Sequence, residues 1–238
     1  MADALQLLEK LKNYDTPSIT NVVATYPGDK KLCLGLYTPW DVNWYTDQSL
    51  RCMYPELGRT VGYAVTCIYG LPTPGSDRLT FADVLNACKA AGGPVIVIIK
   101  QDLPKHIKDK SGLCGGNMTT AFKSVGVTGI LSDGPSRDVD EIRPMKVQYM
   151  LTGVTPGHGN YAIKAVNVPV SVCGMDVAPG EIIHMDENGA VKFPADKLEQ
   201  VADLVEKLQK AETRRQELMR STNDVKRIVS IMAGDEDQ

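Results

Sequence analysis

The chain has 238 residues, of which 43 % are hydrophobic and 23 % are charged, and its formal net charge is −3. A chain of this length and composition buries one sizeable hydrophobic core. The slightly acidic balance and the lack of an uninterrupted basic run argue against nucleic acid as a direct ligand.

The cysteine pattern and the N-terminus bear on compartment. Six cysteines are spread singly, with no Cys-x-x-Cys pair and no histidine spaced to complete a zinc site, so we expect reduced, mostly buried thiols. No basic segment followed by a long apolar run begins the chain, and no stretch reaches the roughly 18 apolar residues of a membrane span. The sequence therefore predicts a cytoplasmic protein without a membrane partner. The sequon at residues 117–119 is interpreted as a chance match.

The first half of the chain alternates helical and strand patterns. Residues 2–12 repeat leucines at helical spacing and predict a docking helix, and residues 15–18 supply cap residues for a second helix. Residues 61–69 and 94–100 predict strands, the second of them apolar on both faces, and residues 81–91 predict a helix between the two. This succession is typical of a layered α/β fold.

The second half of the chain continues the pattern. It predicts a helix over 117–125, strands over 129–132, 146–151, 162–172 and 181–193, and a helix from residue 198 to about residue 220. We expect the tail, residues 234–238, to be disordered.

A glycine-rich loop lies between a predicted strand and a predicted helix, over residues 112–118. Free N–H groups and the helix dipole favour an anion at such a position, and the adjacent Gly115 and Gly116 let the backbone approach a ligand closely. The alternative interpretation is an ordinary tight turn before a helix, because short glycine loops are common.

A charged cluster follows this loop at a spacing that suggests a shared site. Twenty residues separate Gly116 from Arg137, enough for a helix, a short strand and a turn that return to the same sheet edge. Arg137 offers a planar donor fork for a carboxylate or keto oxygen, and Asp138 offers a hard oxygen ligand for Mg²⁺ or Mn²⁺. Asp140 and Glu141 add acidity that suits metal-bound waters. The alternative is a solvated charge cluster at a helix start.

The three histidines give weaker evidence for a functional site. Residues 157–162 superficially fit a dinucleotide-binding glycine fingerprint, but we reject this interpretation because strand-like residues follow. His158 could face a ligand, but we favour a loop histidine in a turn. His106 and His184 have no partner visible in the sequence.

The spacing from Gly116 to Glu141 resembles the Gly-x20-Arg-Asp-x2-Glu/Asp signature of the 4-hydroxy-4-methyl-2-oxoglutarate aldolase family, which also contains the RraA-like regulators of ribonuclease E. The likeness continues over residues 62–66, 168–172 and 186–191. It implies an RraA-like domain over residues 15–210, preceded by an N-terminal helix (1–14) and followed by a helical extension with a tail (211–238).

This resemblance implies a fold, an assembly and a chemistry. The fold is an α/β/β/α sandwich of the swivelling β/β/α type, in a homotrimer or hexamer with sites at subunit interfaces. The activity is that of a lyase dependent on Mg²⁺ or Mn²⁺, which cleaves a 4-hydroxy-4-methyl-2-oxoglutarate type of oxoacid or decarboxylates oxaloacetate. The resemblance implies that backbone amides hold the oxoacid carboxylate, those of Gly115, Gly116, Asn117 and Met118. It implies that Arg137 contacts the oxoacid and takes part in catalysis. It also implies that Asp138 binds the metal ion directly and that Glu141 binds it through water.

Two positions depart from the family pattern. Active aldolases of the family typically carry a carboxylate, working through a water, at the position of Gly116. General base catalysis contributes about 10²- to 10⁴-fold, and decarboxylation removes no hydroxyl proton, so this departure predicts weaker aldol cleavage than decarboxylation. Asn21 stands where relatives commonly carry aspartate.

These features leave two alternatives to an aldolase-type lyase. One is a non-catalytic RraA-like regulator that binds a protein partner and keeps a relic oxoacid site, an interpretation that Gly116 favours and Glu141 opposes. The other is a different enzyme that uses the same pocket for another small acid.

Overall fold

The computed structural model describes residues 2–24, 31–38, 40–75 and 78–234. The helices are α1 Ala2–Leu11, α2 Thr16–Val23, α3 Phe81–Ala90, α4 Lys105–Lys108, α5 Gly116–Ser124, α6 Val139–Ile142, α7 Leu198–Arg220 and α8 Val225–Ala233. The strands are β1 Arg51–Cys52, β2 Thr60–Gly70, β3 Val95–Asp102, β4 Val127–Ser132, β5 Gln148–Leu151, β6 Ala162–Val166, β7 Val170–Val172, β8 Met175–Val177, β9 Ile182–Asp186 and β10 Gly189–Phe193.

Within these ranges the strands form an eight-stranded mixed sheet and a separate β7–β8 hairpin. The sheet order is β1-β5-β4-β3-β2-β9-β10, and β6 pairs with the end of β2. Strands β2, β3, β4 and β5 run parallel, whereas β1, β9 and β10 pair antiparallel. The loops that follow β3 and β4 therefore leave the same edge of the sheet, where ligands of open α/β sheets usually bind.

Helices cover one face of this sheet in two groups. Val84 of α3 and Phe122 of α5 are buried in one hydrophobic core, and Leu8 of α1 and Val201 of α7 are buried in another. The opposite face packs against the β7–β8 hairpin in a third core, which contains Ile98. Successive residues of a strand point to opposite faces of the sheet, so alternate strand residues pack into different cores. The predicted α/β fold is confirmed.

The late strands differ from the prediction. Residues 162–172 form two strands rather than one, because Asn167 adopts a left-handed conformation with φ 53° and Pro169 has no N–H to donate. Residues 181–193 form the antiparallel β9–β10 pair rather than one strand, with a turn that leads into Gly189 at φ 126°. Strand β8, which pairs with β7, was not predicted.

The C-terminal helix is confirmed and continues past the proposed domain boundary. The predicted apolar stripe of α7 is buried, and the helix runs without a break through residues 210–211. A further helix, α8, was not predicted; its N-cap Asp224 accepts a hydrogen bond from the N–H of Lys226 at 3.0 Å. Gly234 ends α8, and residues 235–238 of the expected disordered tail lie outside the described residues.

The six cysteines all lie in described parts of the chain, and none of them forms a disulfide bond. Cys67, Cys88 and Cys114 are buried and the other three are partly exposed. Burial raises the pKa of the Cys114 thiol to about 11, so it stays protonated near neutral pH. Across the described ranges, none of the helices combines the length and apolar character needed to cross a membrane.

A buried histidine joins the N-terminal helices to the sheet. His184 on β9 has its Nδ1 2.9 Å from Thr16 Oγ1 and its Nε2 3.2 Å from the carbonyl oxygen of Leu11. Because a carbonyl only accepts, Nε2 carries the proton and Nδ1 accepts from the threonine hydroxyl. The sequence had shown no partner for this residue. Burial lowers the pKa of His184 to about 4.

This depressed pKa predicts a loss of stability in acid. The unfolded chain binds a proton at His184 near pH 6.5, whereas the folded chain binds it only near pH 4, so protonation favours unfolding between these values. We expect the free energy of unfolding to fall by about 2 kcal/mol from pH 7 to pH 5 through this residue. Urea unfolding at several pH values measures it. His184→Gln should lose this component and His106→Gln should keep it; the same slope in both variants would disprove the assignment.

Candidate functional site

A cleft of about 200 Å³ opens at the N-terminus of α5, between the glycine loop and the segment that carries Arg137 and Asp138. Gly115 is the N-cap of α5, and Gly116, Asn117 and Met118 form its first turn, whose N–H groups have no acceptor within the helix. The helix dipole and these amides suit an anion. The predicted anion-binding loop therefore faces a cleft large enough for a small oxoacid.

The structure brings Arg137 and Asp138 to this loop. Asp138 adopts a left-handed conformation, φ 62° and ψ 34°, which aspartate tolerates better than most residues. Its Oδ2 accepts a hydrogen bond from the N–H of Gly116 at 3.1 Å and lies 3.4 Å from Arg137 Nε. Both side chains are about one-third exposed, so a ligand in the cleft has access to them.

The two adjacent glycines make room for two carboxylates. A Cβ atom on Gly115 would lie 2.3 Å from Asp138 Oδ2, and a Cβ atom on Gly116 would lie 2.2 Å from Glu141 Oε1. Any side chain at either position would displace the carboxylate beside it. The carboxylate of Glu141 therefore occupies the space that a side chain at position 116 would take.

The donors at this site match a magnesium-type ion. Within the described ranges, no three His, Cys, Asp or Glu side chains converge in a metal-binding arrangement. Zinc sites usually need such a set, whereas Mg²⁺ keeps several waters and takes one or two carboxylates together with substrate oxygens. Asp138 lines the cleft, whereas Glu141 is exposed beside Gly116 and outside the cleft lining, so the pair suits one direct carboxylate contact and one through water. Asp140 is exposed and lines none of the cleft.

A buried network fixes the glycine loop. Cys114 has φ 64°, and its carbonyl oxygen accepts hydrogen bonds from Tyr149 OH, from Ser136 Oγ at 3.0 Å and from Thr119 Oγ1 at 3.3 Å. The hydroxyls of Ser136 and Tyr149 lie 2.8 Å apart. Three donors on one carbonyl hold this unusual backbone conformation and so position the amides that follow.

Tyr149→Phe tests this network. The substitution removes one buried donor from the Cys114 carbonyl and leaves the two others, so we expect the free energy of unfolding to fall by about 1 kcal/mol. Chemical denaturation measures the change. Tyr69→Phe is a matched control, because the buried hydroxyl of Tyr69 has no hydrogen-bond partner in the described structure, and it should cost nothing. Equal effects of both substitutions would contradict the role of Tyr149.

The cleft also includes residues to which the sequence gave no role. His158, Gly159 and Tyr161 line its far side. The Tyr161 hydroxyl donates to the carbonyl of Ser111 at 2.7 Å, which joins the two loops. The sequence shows a glycine pattern over residues 157–162, for which we reject a nucleotide site. The structure places part of this segment in the cleft wall.

Two other residues considered in the sequence lie outside the cleft. His106 is exposed on α4. Asn21 lies on α2, which contacts α7, β9 and β10.

Comparison with known proteins gives a family match. The RraA-like family model, described as Aldolase/RraA, matches residues 41–192. An uncharacterised protein of Methanocaldococcus jannaschii is 27 % identical over 125 residues, which cover 52 % of this chain and 60 % of that protein. A 4-hydroxy-4-methyl-2-oxoglutarate aldolase of Thermus thermophilus is 30 % identical over 86 residues, which cover 36 % of this chain and 52 % of that protein. The chain thus spans little more than half the length of these relatives.

Solved structures extend the likeness to most of the chain. The RraAS2 protein of Streptomyces coelicolor, described as an unusual member of the RNase ES inhibitor RraA protein family, is 21 % identical with a TM-score of 0.66, and the match covers 89 % of this chain and 96 % of that one. An uncharacterised protein of Pseudomonas syringae is 19 % identical with a TM-score of 0.70, covering 94 % and 92 %. At such identities the likeness concerns the fold alone.

Proposed function

The chain belongs to the Aldolase/RraA family, and from that premise we propose that it is a lyase acting on a pyruvate-containing oxoacid with a divalent metal ion. The observation that carries the proposal is the convergence of Arg137, Asp138 and the first-turn amides of α5 on one small cleft. A related protein of Thermus thermophilus named as a 4-hydroxy-4-methyl-2-oxoglutarate aldolase supports the choice of reaction.

The first part of the proposed mechanism is binding. The N–H groups of Asn117 and Met118 at the helix N-terminus donate hydrogen bonds to the substrate carboxylate, and the helix dipole adds to its stabilisation. Arg137 directs its guanidinium at the keto oxygen, which gains negative charge as the bond between C3 and C4 breaks. Donors already in place for this charge stabilise the transition state more than the bound substrate.

The second part is the metal site. Asp138 and Glu141 would hold the ion, directly and through water respectively. A divalent ion there stabilises the enolate oxygen electrostatically. The left-handed backbone of Asp138 fixes its carboxylate beside Gly116 before any ligand arrives, so little reorganisation accompanies binding.

The third part is proton transfer, which aldol cleavage requires and decarboxylation does not. We assign it to Glu141, because its carboxylate fills the space of the side chain that Gly116 lacks. Glu141 is exposed against the first turn of α5 and does not line the cleft, so in this proposal it takes the hydroxyl proton of a bound 4-hydroxy-2-oxoacid through a water. This assignment supplies a base for aldol cleavage in place of the carboxylate that Gly116 lacks.

Pyruvate release from oxaloacetate in the presence of Mg²⁺ tests the proposed function. Arg137→Ala is expected to lower kcat/KM by about 10²-fold, because it removes a charged donor to the developing enolate. Arg51→Ala is the matched control, since Arg51 is exposed on β1 and lines none of the cleft. Equal rates in wild type and both variants would rule out the enzyme and favour a non-catalytic interaction protein.

A further inference from the structure

A second cavity of about 550 Å³ adjoins the cleft, and we call it the annex. Its walls include the side chains of Tyr69, Phe81, Leu113, Met118, Tyr161 and Ile163. Leu113, Met118 and Tyr161 also line the cleft, so the two spaces share one wall. When the substrate carboxylate lies at the N-terminus of α5, the rest of the substrate can therefore extend from the cleft into the annex.

The annex differs from the cleft in chemistry. No charged side chain of the described residues lines it, whereas the cleft contains Arg137 and Asp138. The nearest cationic groove, with Arg78 and Lys164, is a separate space that shares only Leu79 and Ile163 with the annex. A carboxylate placed in the annex would lose its hydration without gaining a counter-charge. An uncharged fragment has no such cost.

One polar atom in this wall has no partner. Tyr69 is 4 % exposed, and its hydroxyl has no hydrogen-bond partner in the described structure. Because the protein encloses the Tyr69 hydroxyl almost completely, this residue presents its aromatic ring to the annex and not its polar group. Aromatic and aliphatic side chains make up most of the wall, with Thr80, Asn160 and Tyr161 as uncharged polar members, and such a wall suits a largely hydrophobic ligand.

We infer that the annex is the subsite for the substrate fragment beyond C3, and that this fragment is uncharged and hydrophobic, aromatic or branched aliphatic. The inference rests on the proposed function and deepens it, because it names the class of oxoacid. It separates this chain from an aldolase dedicated to 4-hydroxy-4-methyl-2-oxoglutarate, in which the fragment released as a carbonyl compound carries its own carboxylate.

The reaction that this inference implies is a retro-aldol cleavage. In 4-hydroxy-2-oxo-4-phenylbutanoate the hydroxyl on C4 gives its proton to a base, and the bond between C3 and C4 breaks. Its electron pair forms the enolate of pyruvate, which takes a proton at C3. The products are benzaldehyde and pyruvate, and no oxidant or reductant takes part.

The experiment compares three substrates by pyruvate release with Mg²⁺ present. Oxaloacetate reports the proposed function without using the annex, 4-hydroxy-4-methyl-2-oxoglutarate carries a charged fragment, and 4-hydroxy-2-oxo-4-phenylbutanoate carries an uncharged aromatic one. Ala162→Leu narrows the annex, and Ala165→Leu makes the same change on β6 outside it.

We expect the wild type to prefer the phenyl substrate to 4-hydroxy-4-methyl-2-oxoglutarate by at least about tenfold in kcat/KM. Ala162→Leu should lower the rate with the phenyl substrate by about tenfold and leave oxaloacetate unchanged, and Ala165→Leu should alter neither rate. The reverse preference, or equal effects of both variants, with oxaloacetate still turned over, would overturn the annex and spare the proposed function. No release from any of the three substrates would overturn both.

Discussion

Asp138→Asn is expected to lower the Mg²⁺-dependent kcat/KM for oxaloacetate by about 10²- to 10³-fold. Asparagine has the same size and also tolerates the left-handed backbone at this position, so the loop keeps its shape and only the charge is lost. The measurement is pyruvate release over a range of Mg²⁺ concentrations. The variant should need more Mg²⁺ for half-maximal rate.

Asp140→Asn is the matched control for Asp138→Asn. It removes the same charge two residues away, from an exposed side chain outside the cleft, so its rate should stay within about twofold of wild type if only screened surface charge changes. Similar losses in both variants would mean that overall acidity matters and that Asp138 has no specific role. Unfolding curves of the three proteins check that the fold is unchanged.

Gly116→Ala is expected to lower aldol cleavage of a 4-hydroxy-2-oxoacid by about 10²-fold and to lower oxaloacetate decarboxylation much less, because decarboxylation loses only the water-mediated metal contact of Glu141. The added methyl group would lie 2.2 Å from Glu141 Oε1 and must move that carboxylate. Since Glu141 is an exposed, flexible side chain, the move costs little stability. The ratio of the two rates, measured on one preparation, isolates the proton-transfer step, because loss of the metal contact lowers both rates.

Glu141→Gln and the double variant complete this test. If Gly116→Ala acts by displacing Glu141, the double variant should be no slower than the slower single variant, because both changes remove one function. Additive losses would show that Gly116 and Glu141 act independently. An unchanged rate of aldol cleavage in Gly116→Ala would disprove the assignment of proton transfer to Glu141.

Local patterns predicted much of the fold, because helices and strands in this chain follow hydrophobic periodicity. The helix over 81–91 and the buried strand over 94–100 were found nearly as predicted. The failures came where backbone conformation overrides periodicity. The left-handed Asn167 divides one apolar run into two strands, and no alternation of residues reveals that break.

The candidate site shows the same limit. The spacing from Gly116 to Arg137 indicated that the two ends meet, and the structure places them at one cleft. The sequence could not show the direction of the Asp138 carboxylate, which depends on a left-handed backbone, nor the contact of Glu141 with Gly116. It also gave no sign of the Tyr149 hydrogen bond to Cys114, since their closeness arises only in the tertiary fold.

Some expectations from the sequence stay predictions. The homotrimer or hexamer, the choice between Mg²⁺ and Mn²⁺, and the cytoplasmic location rest on the sequence alone. The location of Asn21 on α2, which packs on the helical side of β9 and β10, leaves it no contact with the cleft of its own chain.

A crystal structure with Mg²⁺ and oxalate, a planar analogue of the pyruvate enolate, tests the central claim most directly. We predict that oxalate lies in the cleft, with its carboxylate at the amides of Asn117 and Met118 and with Arg137 and Asp138 in contact with the ligand and the ion. Oxalate bound elsewhere, or an empty cleft at saturating concentrations of both, would contradict the account.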